Sequence, residues 1–199
     1  MRPDLAVVAA MIPTGSRVLD LGCGDGDLLA ELIGARGCRG QGVEVSPDAF
    51  HACVTRGIPV VAADIDAGLP DFEDGSFDVV VLSQTLQATR HPVVVLREMM
   101  RVGRMGIVSF PNFGHWRARG YLGARGRMPV SRSLPYAWHE TPNIHLCTLR
   151  DFEDLARGEG LAVSERRLLD ADGRAASGRA ERRPNLLAAG AVYRLRSLP

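Results

Sequence analysis

Short apolar runs alternate with segments of helical periodicity along the first half of the chain. Five runs, mostly of Val, Ile and Leu, are typical of buried strands: residues 17–21, 42–45, 58–62, 77–82 and 106–110. Apolar residues recur at helical spacing elsewhere, which predicts helices over residues 3–11, 27–36, 47–56 and 92–102. This alternation is typical of an α/β fold, with a mostly parallel sheet and helices on both faces. We expect the β-branched run at 77–82 to be the central strand.

The second half of the chain departs from this alternation. Residues 111–147 contain glycine, proline, arginine and aromatic residues with little periodicity, and we predict an irregular insert there. Thr148 and Asp151 have the spacing of a capping box, which predicts a helix through Arg157. Two further strands are expected, near 162–169 and 190–196. The Ala/Gly/Arg-rich segment between them, 171–183, is interpreted as a mobile loop.

Length and composition narrow the class of protein. The chain is long enough to bury a core and shows no repeat and no second hydrophobic core, so we predict a single domain over residues 1–199. All 24 basic residues are arginine. The absence of lysine excludes pyridoxal-phosphate enzymes, lysine general bases and P-loop proteins. A formal net charge of +1 argues against nucleic acid as a partner.

The cysteines indicate a reducing compartment. They show no CxxC spacing and no paired framework: Cys23, Cys38, Cys53 and Cys147. The apolar runs are too short for a membrane-spanning helix, and the amino-terminal stretch lacks a signal-type cleavage site. We therefore expect a cytoplasmic protein with free thiols, without dithiol chemistry and without a membrane partner.

A glycine-rich sequence, VLDLGCGDG, follows the first predicted strand. Its three glycines let the backbone turn sharply and let a ligand approach a helix N-terminus: Gly22, Gly24 and Gly26. A nicotinamide or flavin fingerprint would place its third glycine at position 27, where this chain has Asp27. Asp20 and Asp25 would repel a pyrophosphate and instead suit a ligand that carries an ammonium group. A nicotinamide enzyme is therefore the weakest alternative.

Three more polar positions follow successive predicted strands. Glu44 lies 20 residues beyond Gly24, where an acidic side chain can accept hydrogen bonds from both ribose hydroxyls. Asp64 follows the third strand and can accept from an adenine amino group. Ser83 and Gln84 end the fourth strand. Because the carboxyl ends of parallel strands meet at one edge, we expect these groups to converge on one crevice.

These segments resemble the nucleoside-binding motifs of class I S-adenosylmethionine-dependent methyltransferases: VLDLGCGDG, GVEVS, AADI and FEDGSFDVVVLSQTL. The resemblance implies a seven-stranded Rossmann-like sheet whose last strand is antiparallel. It also implies that the glycine loop holds the methionine part of S-adenosylmethionine or S-adenosylhomocysteine, the second-strand acid the ribose, and the third-strand acid the adenine. The predicted cofactor-binding residues are Asp20, Gly22, Cys23, Gly24, Asp25, Glu44, Val45, Asp64, Ile65, Ser83 and Gln84.

The second half of the chain resembles a narrower family. Four stretches are similar to the MetW family of methionine biosynthesis proteins: SQTLQA, SFPNFGHWR, GRMPV and TPNIHLCT. The likeness runs from about residue 2 to 170 and resumes near 185–188, and the segment 171–183 has no counterpart in it. It implies a role in making methionine alongside homoserine O-acetyltransferase, a separate α/β-hydrolase enzyme.

The sequence assigns no catalytic residue. An Asn/Asp-Pro-Pro-aromatic motif, which amine-modifying nucleic-acid methyltransferases carry after the fourth strand, is replaced by SQTL at 83–86. His115, His139 and His145 are candidate bases, although a histidine such as His145 more often orders a loop. With Cys147 they fit no standard zinc spacing, so we predict no metal site.

Two functions stay open at this point. The chain is an accessory or regulatory subunit of homoserine O-acetyltransferase, or it is a small-molecule methyltransferase whose substrate the sequence does not identify. The missing catalytic motif favours the first, and the intact glycine loop keeps the second. Residues 112–135 carry five arginines with Trp116 and Tyr121, which favours a protein-partner surface over a substrate lid or an RNA site.

Overall fold

The computed structural model describes residues 1–198. Within that range one sheet is formed by eight strands: β1 (Arg17–Leu21), β2 (Arg39–Glu44), β3 (Val60–Ala62), β4 (Val79–Ser83), β5 (Gly106–Pro111), β6 (Leu161–Leu169), β7 (Ala175–Ala176) and β8 (Gly190–Ser197). The helices are α1 (Pro3–Ala10), α2 (Asp27–Arg36), α3 (Pro47–Thr55), α4 (Pro92–Val102), α5 (Trp116–Arg125), α6 (Leu149–Gly158), α7 (Arg179–Arg182) and α8 (Pro184–Leu187). Single 3-10 turns follow β3 and β4, at Ile65–Ala67 and Leu86–Ala88.

The strand order places the carboxyl ends of five parallel strands at one edge. The order is β3-β2-β1-β4-β5-β8-β6-β7, and β1 to β5 run parallel. Strand β8 lies antiparallel between β5 and β6. Strands β2 and β3 are added on one side of β1, and strands β4 and β5 on the other side. Where the strand order switches in this way, between β1 and β4, a crevice forms beyond the carboxyl ends of the strands. The candidate site lies at this edge.

Both faces of the sheet are covered by apolar side chains. Successive strand residues point to opposite faces, so Val18 packs in one core cluster and Leu19 in the other. In the Leu19 cluster the rings of Phe110 and Tyr193 stack with centroids 5.7 Å apart, and Phe152 of α6 lies 4.8 Å from Tyr193. Burial on both faces explains why β4 is almost wholly apolar.

Two helix starts predicted from the sequence are confirmed. Ser46 accepts a hydrogen bond from the amide of Ala49 at 3.5 Å, and Pro47 occupies the first turn of α3. Thr148 and Asp151 form the reciprocal capping box of α6. These signals could be recognised because each depends on residues within four positions of one another.

The α/β fold, with its antiparallel last strand, is as predicted, but the sheet has eight strands where the resemblance implies seven. The additional strand, β7, is two residues paired with the end of β6. So short a strand has no alternation for a sequence pattern to reveal. Strand β7 and helix α7 both lie within the segment 171–183, whose mobility stays a prediction.

Helix α5 occupies ten residues of the segment 111–147, for which the sequence predicts irregular structure. Only Ala118 of this helix is buried. The helix therefore has no apolar stripe, and Gly120 and Gly123 lower its intrinsic propensity. The remainder of the segment, 126–147, contains turns and bends but no helix or strand.

Candidate ligand site at the carboxyl edge of the sheet

A glycine-rich loop connects β1 to α2 at this edge. Gly22, Gly24 and Gly26 adopt φ values of 73°, 57° and 78°, which glycine reaches without strain. The Gly22 amide donates to the carbonyl of Val43 in β2 at 2.8 Å. A Cβ added to Gly22 would lie 2.6 Å from Cγ2 of Thr85, whereas one on Gly24 would meet no atom within 4 Å. Thr85 therefore packs against Gly22, and the space beside Gly24 is open.

Glu44, the last residue of β2, fixes this loop in place. Its buried carboxylate accepts three backbone hydrogen bonds, from Gly24 at 2.8 Å, Val45 at 2.9 Å and Ser46 at 2.8 Å. Hydrogen bonds to an ionised group are stronger than neutral ones. A carboxylate offers about four acceptor positions, so Glu44 keeps capacity for one more donor. The sequence predicts a ribose acceptor here but gave no sign of the contact with the glycine loop.

Asp20 has a side-chain oxygen without a donor. The residue is 3% exposed, and among the described residues its Oδ1 has no hydrogen-bond partner. Burial, followed by the negative charge of Glu44, raises the pKa of Asp20 to about 7, while Arg2 opposes this shift. A buried acceptor without a donor destabilises the fold. A cationic ligand group next to Asp20 would supply the donor and lower that pKa, so the residue suits a ligand with an ammonium group.

Cys23 and Asp25 have opposite surroundings. Cys23 is buried, with its Sγ 3.8 Å from Sγ of Cys53, and burial raises the pKa of both thiols. A Cβ at Gly42 would collide with the Cys23 sulfur, so this glycine makes room for it. Asp25 is exposed and forms an ion pair with Arg56 at 3.5 Å. Cys23 therefore packs as a neutral thiol against Cys53. The two cysteines are 30 residues apart in the sequence, so their contact could not be predicted from spacing.

The positions after β2 and β3 are more open. The Val45 side chain is 68% exposed. Asp64 accepts a hydrogen bond from the Asp66 amide at 3.0 Å and lies 3.4 Å from Nη2 of Arg90, with 41% of its side chain exposed. Ile65 packs half-buried against the main core. Asp64 therefore belongs to a different hydrogen-bonded group from Glu44 and Gly24, and the negative charge of Glu44 acts on the nearby Asp20.

The end of β4 adopts an unusual backbone conformation. Ser83 lies with its Oγ 3.1 Å from Oγ of Ser109, and the amide of Gln84 donates to the carbonyl of Ser109 at 2.9 Å. Gln84 has a φ of 58°, the sole positive φ outside glycine in residues 1–198. Strain of this kind concentrates at functional sites.

A cavity of about 630 Å³ opens beside the ends of β4 and β5. Its lining includes Gln84, Gln87, Pro111, Tyr136 and Asn143. The side-chain amide of Gln87 donates to the Gln84 carbonyl at 2.8 Å, which leaves the Gln87 Oε1 buried and unpartnered within the described chain. The volume is that of a small-molecule site. Thr85 and Gln87 were not among the predicted site residues, because their roles depend on what folds against them.

The three candidate histidines do not meet. His115 begins α5, and its Nδ1 accepts from the Arg117 amide at 3.4 Å; burial, then the charge of Arg117, lowers the pKa of His115. His139 and His145 are exposed. In the part of the chain that the structure describes, no group of three or more His, Cys, Asp or Glu side chains could hold a metal ion. Among residues 1–198, no helix is long and apolar enough to cross a membrane.

Comparison with known families adds to this geometry. Residues 2–195 match the model of the family described as methionine biosynthesis protein MetW. The chain belongs to the MetW family. A relative from Rhodopirellula baltica, the bifunctional methionine biosynthesis protein MetXA/MetW, is 39% identical over 178 residues. The match covers 85% of this chain and 29% of the relative, so the chain spans less than a third of that protein.

Similarity extends beyond the MetW family to methyltransferases. Ubiquinone biosynthesis O-methyltransferase from Ralstonia nicotianae is 32% identical over 132 residues, which cover 63% of this chain and 55% of that protein. The crystal structure of a SAM-dependent methyltransferase from Thermotoga maritima superposes with a TM-score of 0.69 at 20% identity, over 98% of this chain and 87% of the other. The predicted class I methyltransferase fold is thereby confirmed.

Proposed function

We propose that this chain binds S-adenosylmethionine or S-adenosylhomocysteine at the crevice between the glycine loop and the end of β2. The observation that carries the proposal is Asp20, a buried carboxyl whose Oδ1 has no donor within residues 1–198 and which precedes a loop open to a ligand at Gly24. An ammonium group supplies that donor, and the methionine part of the cofactor carries one. A pyrophosphate would meet an acidic side chain instead.

The other residues divide between holding the loop and contacting the nucleoside. Glu44 keeps the Gly24 backbone in position and has a remaining lone pair for a ribose hydroxyl. Asp64 and Ile65 offer an acceptor beside an apolar surface for the adenine. When bound, S-adenosylmethionine supplies an electrophilic methyl group. The residues of this chain bind and orient the nucleoside.

The role we propose in methionine biosynthesis is that of an accessory or regulatory partner of homoserine O-acetyltransferase. Membership of the MetW family supports the pathway. The relative from Rhodopirellula baltica is named as a bifunctional MetXA/MetW protein, and we take its MetXA part to correspond to that acyltransferase. Two activities in one relative suggest association of the separate chains. A cytoplasmic location stays a prediction, which rests on four free cysteines.

The surface expected to meet the partner is residues 112–135. Exposed large apolar side chains concentrate in and just beyond it, at Trp116, Tyr121, Leu122, Met128, Val130, Tyr136, Trp138, Ile144 and Leu146. Aromatic and arginine side chains are enriched at protein interfaces, and this segment exposes both. The guanidinium of Arg117 lies 5.4 Å from the ring centroid of Trp116, within the range of a cation–π contact.

A second function, methyl transfer to a small molecule, is favoured by the cavity beside β4 and β5. Gln84, one of the predicted cofactor-binding residues, lines it, and its mixture of polar and apolar side chains suits a small organic acceptor. Besides amides and a tyrosine, the lining contains Asp4 and Asp172, and a carboxylate can accept the proton that an acceptor must lose. We rank methyl transfer second because the similarity to a bifunctional MetXA/MetW protein supports the accessory role.

One experiment distinguishes the two functions. Homoserine O-acetyltransferase is assayed with and without this chain across a titration of S-adenosylmethionine and S-adenosylhomocysteine, and a pull-down measures association. The regulatory proposal predicts that activity or partner affinity changes with nucleoside, typically by about 1–3 kcal/mol of coupling. Flat activity with unchanged partner affinity at saturating nucleoside would refute the regulatory role. Detection of a methylated product would then favour the enzyme.

A further inference from the structure

Arginines make up half of the residues that line a second cavity, away from the nucleoside crevice. It has a volume of about 370 Å³ and lies between α5, α6, β6 and the α7–α8 segment. Its charged lining consists of Arg119, Arg150, Arg166, Arg182, Arg183 and Glu153. The whole chain carries a formal net charge of only +1, so this concentration of positive charge is local.

The one acidic side chain of the lining is already engaged. Glu153 Oε1 accepts from Nη1 of Arg166 at 2.6 Å and from the hydroxyl of Tyr193 at 2.9 Å. Arg119 donates its Nε to the carbonyl of Gly114 at 2.6 Å. These contacts hold the side chains of Glu153, Arg166 and Arg119 in place. The Glu153 carboxylate also neutralises the charge of Arg166, one of the five guanidinium groups of the lining.

The other three arginines of the lining are exposed and are free to contact a ligand: Arg150, Arg182 and Arg183. Among residues 1–198, their side chains make no hydrogen bond and no ion pair. Other exposed arginines, such as Arg39 and Arg104, stand alone on the surface, whereas these three line one cavity together with Arg119 and Arg166. A guanidinium group stays protonated at every physiological pH, so their charges add to a local positive potential at the cavity.

We propose that this cavity binds a small molecule that carries a diphosphate group. Arginine presents a planar fork of donors that matches phosphate oxygens in pairs, and three free forks exceed what one carboxylate can accept. The volume lies at the lower end of the range for small-molecule sites, which suits a compact anion. The site shares no lining residue with the nucleoside crevice, so the proposal does not depend on the proposed function.

The test is calorimetric titration of the full chain with pyrophosphate, with ADP and with malonate. Wild type is compared with the double variant Arg150→Gln/Arg183→Gln, because neither arginine side chain makes a hydrogen bond within residues 1–198. The control is Arg157→Gln, which removes one charge from the same helix α6 but lies outside the cavity, paired with Asp154 at 2.8 Å. Thermal unfolding of each variant verifies that it is folded.

The proposal predicts saturable binding of pyrophosphate, weakened about tenfold to a hundredfold in the double variant because hydrogen bonds to charged groups are lost. Arg157→Gln should bind like wild type. If ADP binds more tightly than pyrophosphate and the double variant loses this binding, the ligand is a nucleotide. If pyrophosphate binds more tightly than ADP, the ligand is a free diphosphate. Equal affinity for malonate, an equal loss in Arg157→Gln, or no binding of either diphosphate would overturn the proposal.

Discussion

Replacing Glu44 with glutamine tests the connection between β2 and the glycine loop. The amide has the shape of the carboxylate, so one oxygen can still accept from the Val45 and Ser46 amides. The side-chain NH₂ then faces the Gly24 amide, and two donors oppose each other where the wild type has a 2.8 Å hydrogen bond. The reverse orientation of the amide restores Gly24 but loses the other two hydrogen bonds. Glu44→Gln therefore separates the contact with Gly24 from the contacts with Val45 and Ser46.

The expected loss in the free energy of unfolding is about 1–3 kcal/mol, the cost of an unsatisfied donor at a charge-assisted hydrogen bond. Urea unfolding measures it, and hydrogen exchange should show faster exchange of the Gly24 amide. Affinity for S-adenosylhomocysteine should fall by a similar free energy, since both the loop and the ribose acceptor are changed.

The matched control is Glu31→Gln, which removes the same charge from an exposed position on α2. It should leave stability and Gly24 exchange at wild-type values. If Glu44→Gln also leaves the free energy of unfolding and the exchange of the Gly24 amide unchanged, the carboxylate does not hold the glycine loop. If stability falls but nucleoside affinity does not, Glu44 is purely structural.

Asp20, Gly22 and Trp116 provide three further tests. The pKa of Asp20 is about 7 in the folded chain and 3.8 as a reference, so the unfolded chain releases this proton first as the pH rises. Relative to Asp20→Asn, the free energy of unfolding of wild type should therefore fall between pH 4 and 7 by up to about 4 kcal/mol, and a pH-independent difference would contradict this. Gly22→Ala should destabilise the folded chain more than Gly15→Ala does. Both glycines have a φ of 73°, but only a Cβ at Gly22 would meet Thr85. Equal losses in thermal unfolding would show that Thr85 moves away without cost. Trp116→Ala should lower stimulation of the acyltransferase with nucleoside affinity intact, and the opposite pattern would make the segment a lid.

The sequence predicted the features that depend on neighbouring residues. The first helix after the glycine loop, α2, has the bounds predicted from its apolar spacing, since its buried leucines recur on one face. The cap at Ser46 and the capping box at Thr148 are likewise local. The three glycines of the loop have the positive φ values that a sharp turn requires.

The features that escaped prediction depend on tertiary contacts or on weak local patterns. The contact of Glu44 with Gly24 forms only because β1 and β2 pair side by side. The arginine cavity is lined by residues from Arg119 to Leu186 that no sequence spacing connects. Helix α5 was missed because it buries one residue, and a helix without an apolar face has no periodic signal.

Isothermal titration of the purified chain with S-adenosylhomocysteine shows whether the crevice binds the nucleoside. We expect saturable binding to one site, weakened in Asp20→Asn and in Glu44→Gln but unchanged in Glu31→Gln. We also expect no tight binding of NAD, because the position that a dinucleotide fingerprint reserves for its third glycine is Asp27. Absence of nucleoside binding in the folded chain, or tight binding of NAD in its place, would show that the crevice is not a site for S-adenosylmethionine or S-adenosylhomocysteine.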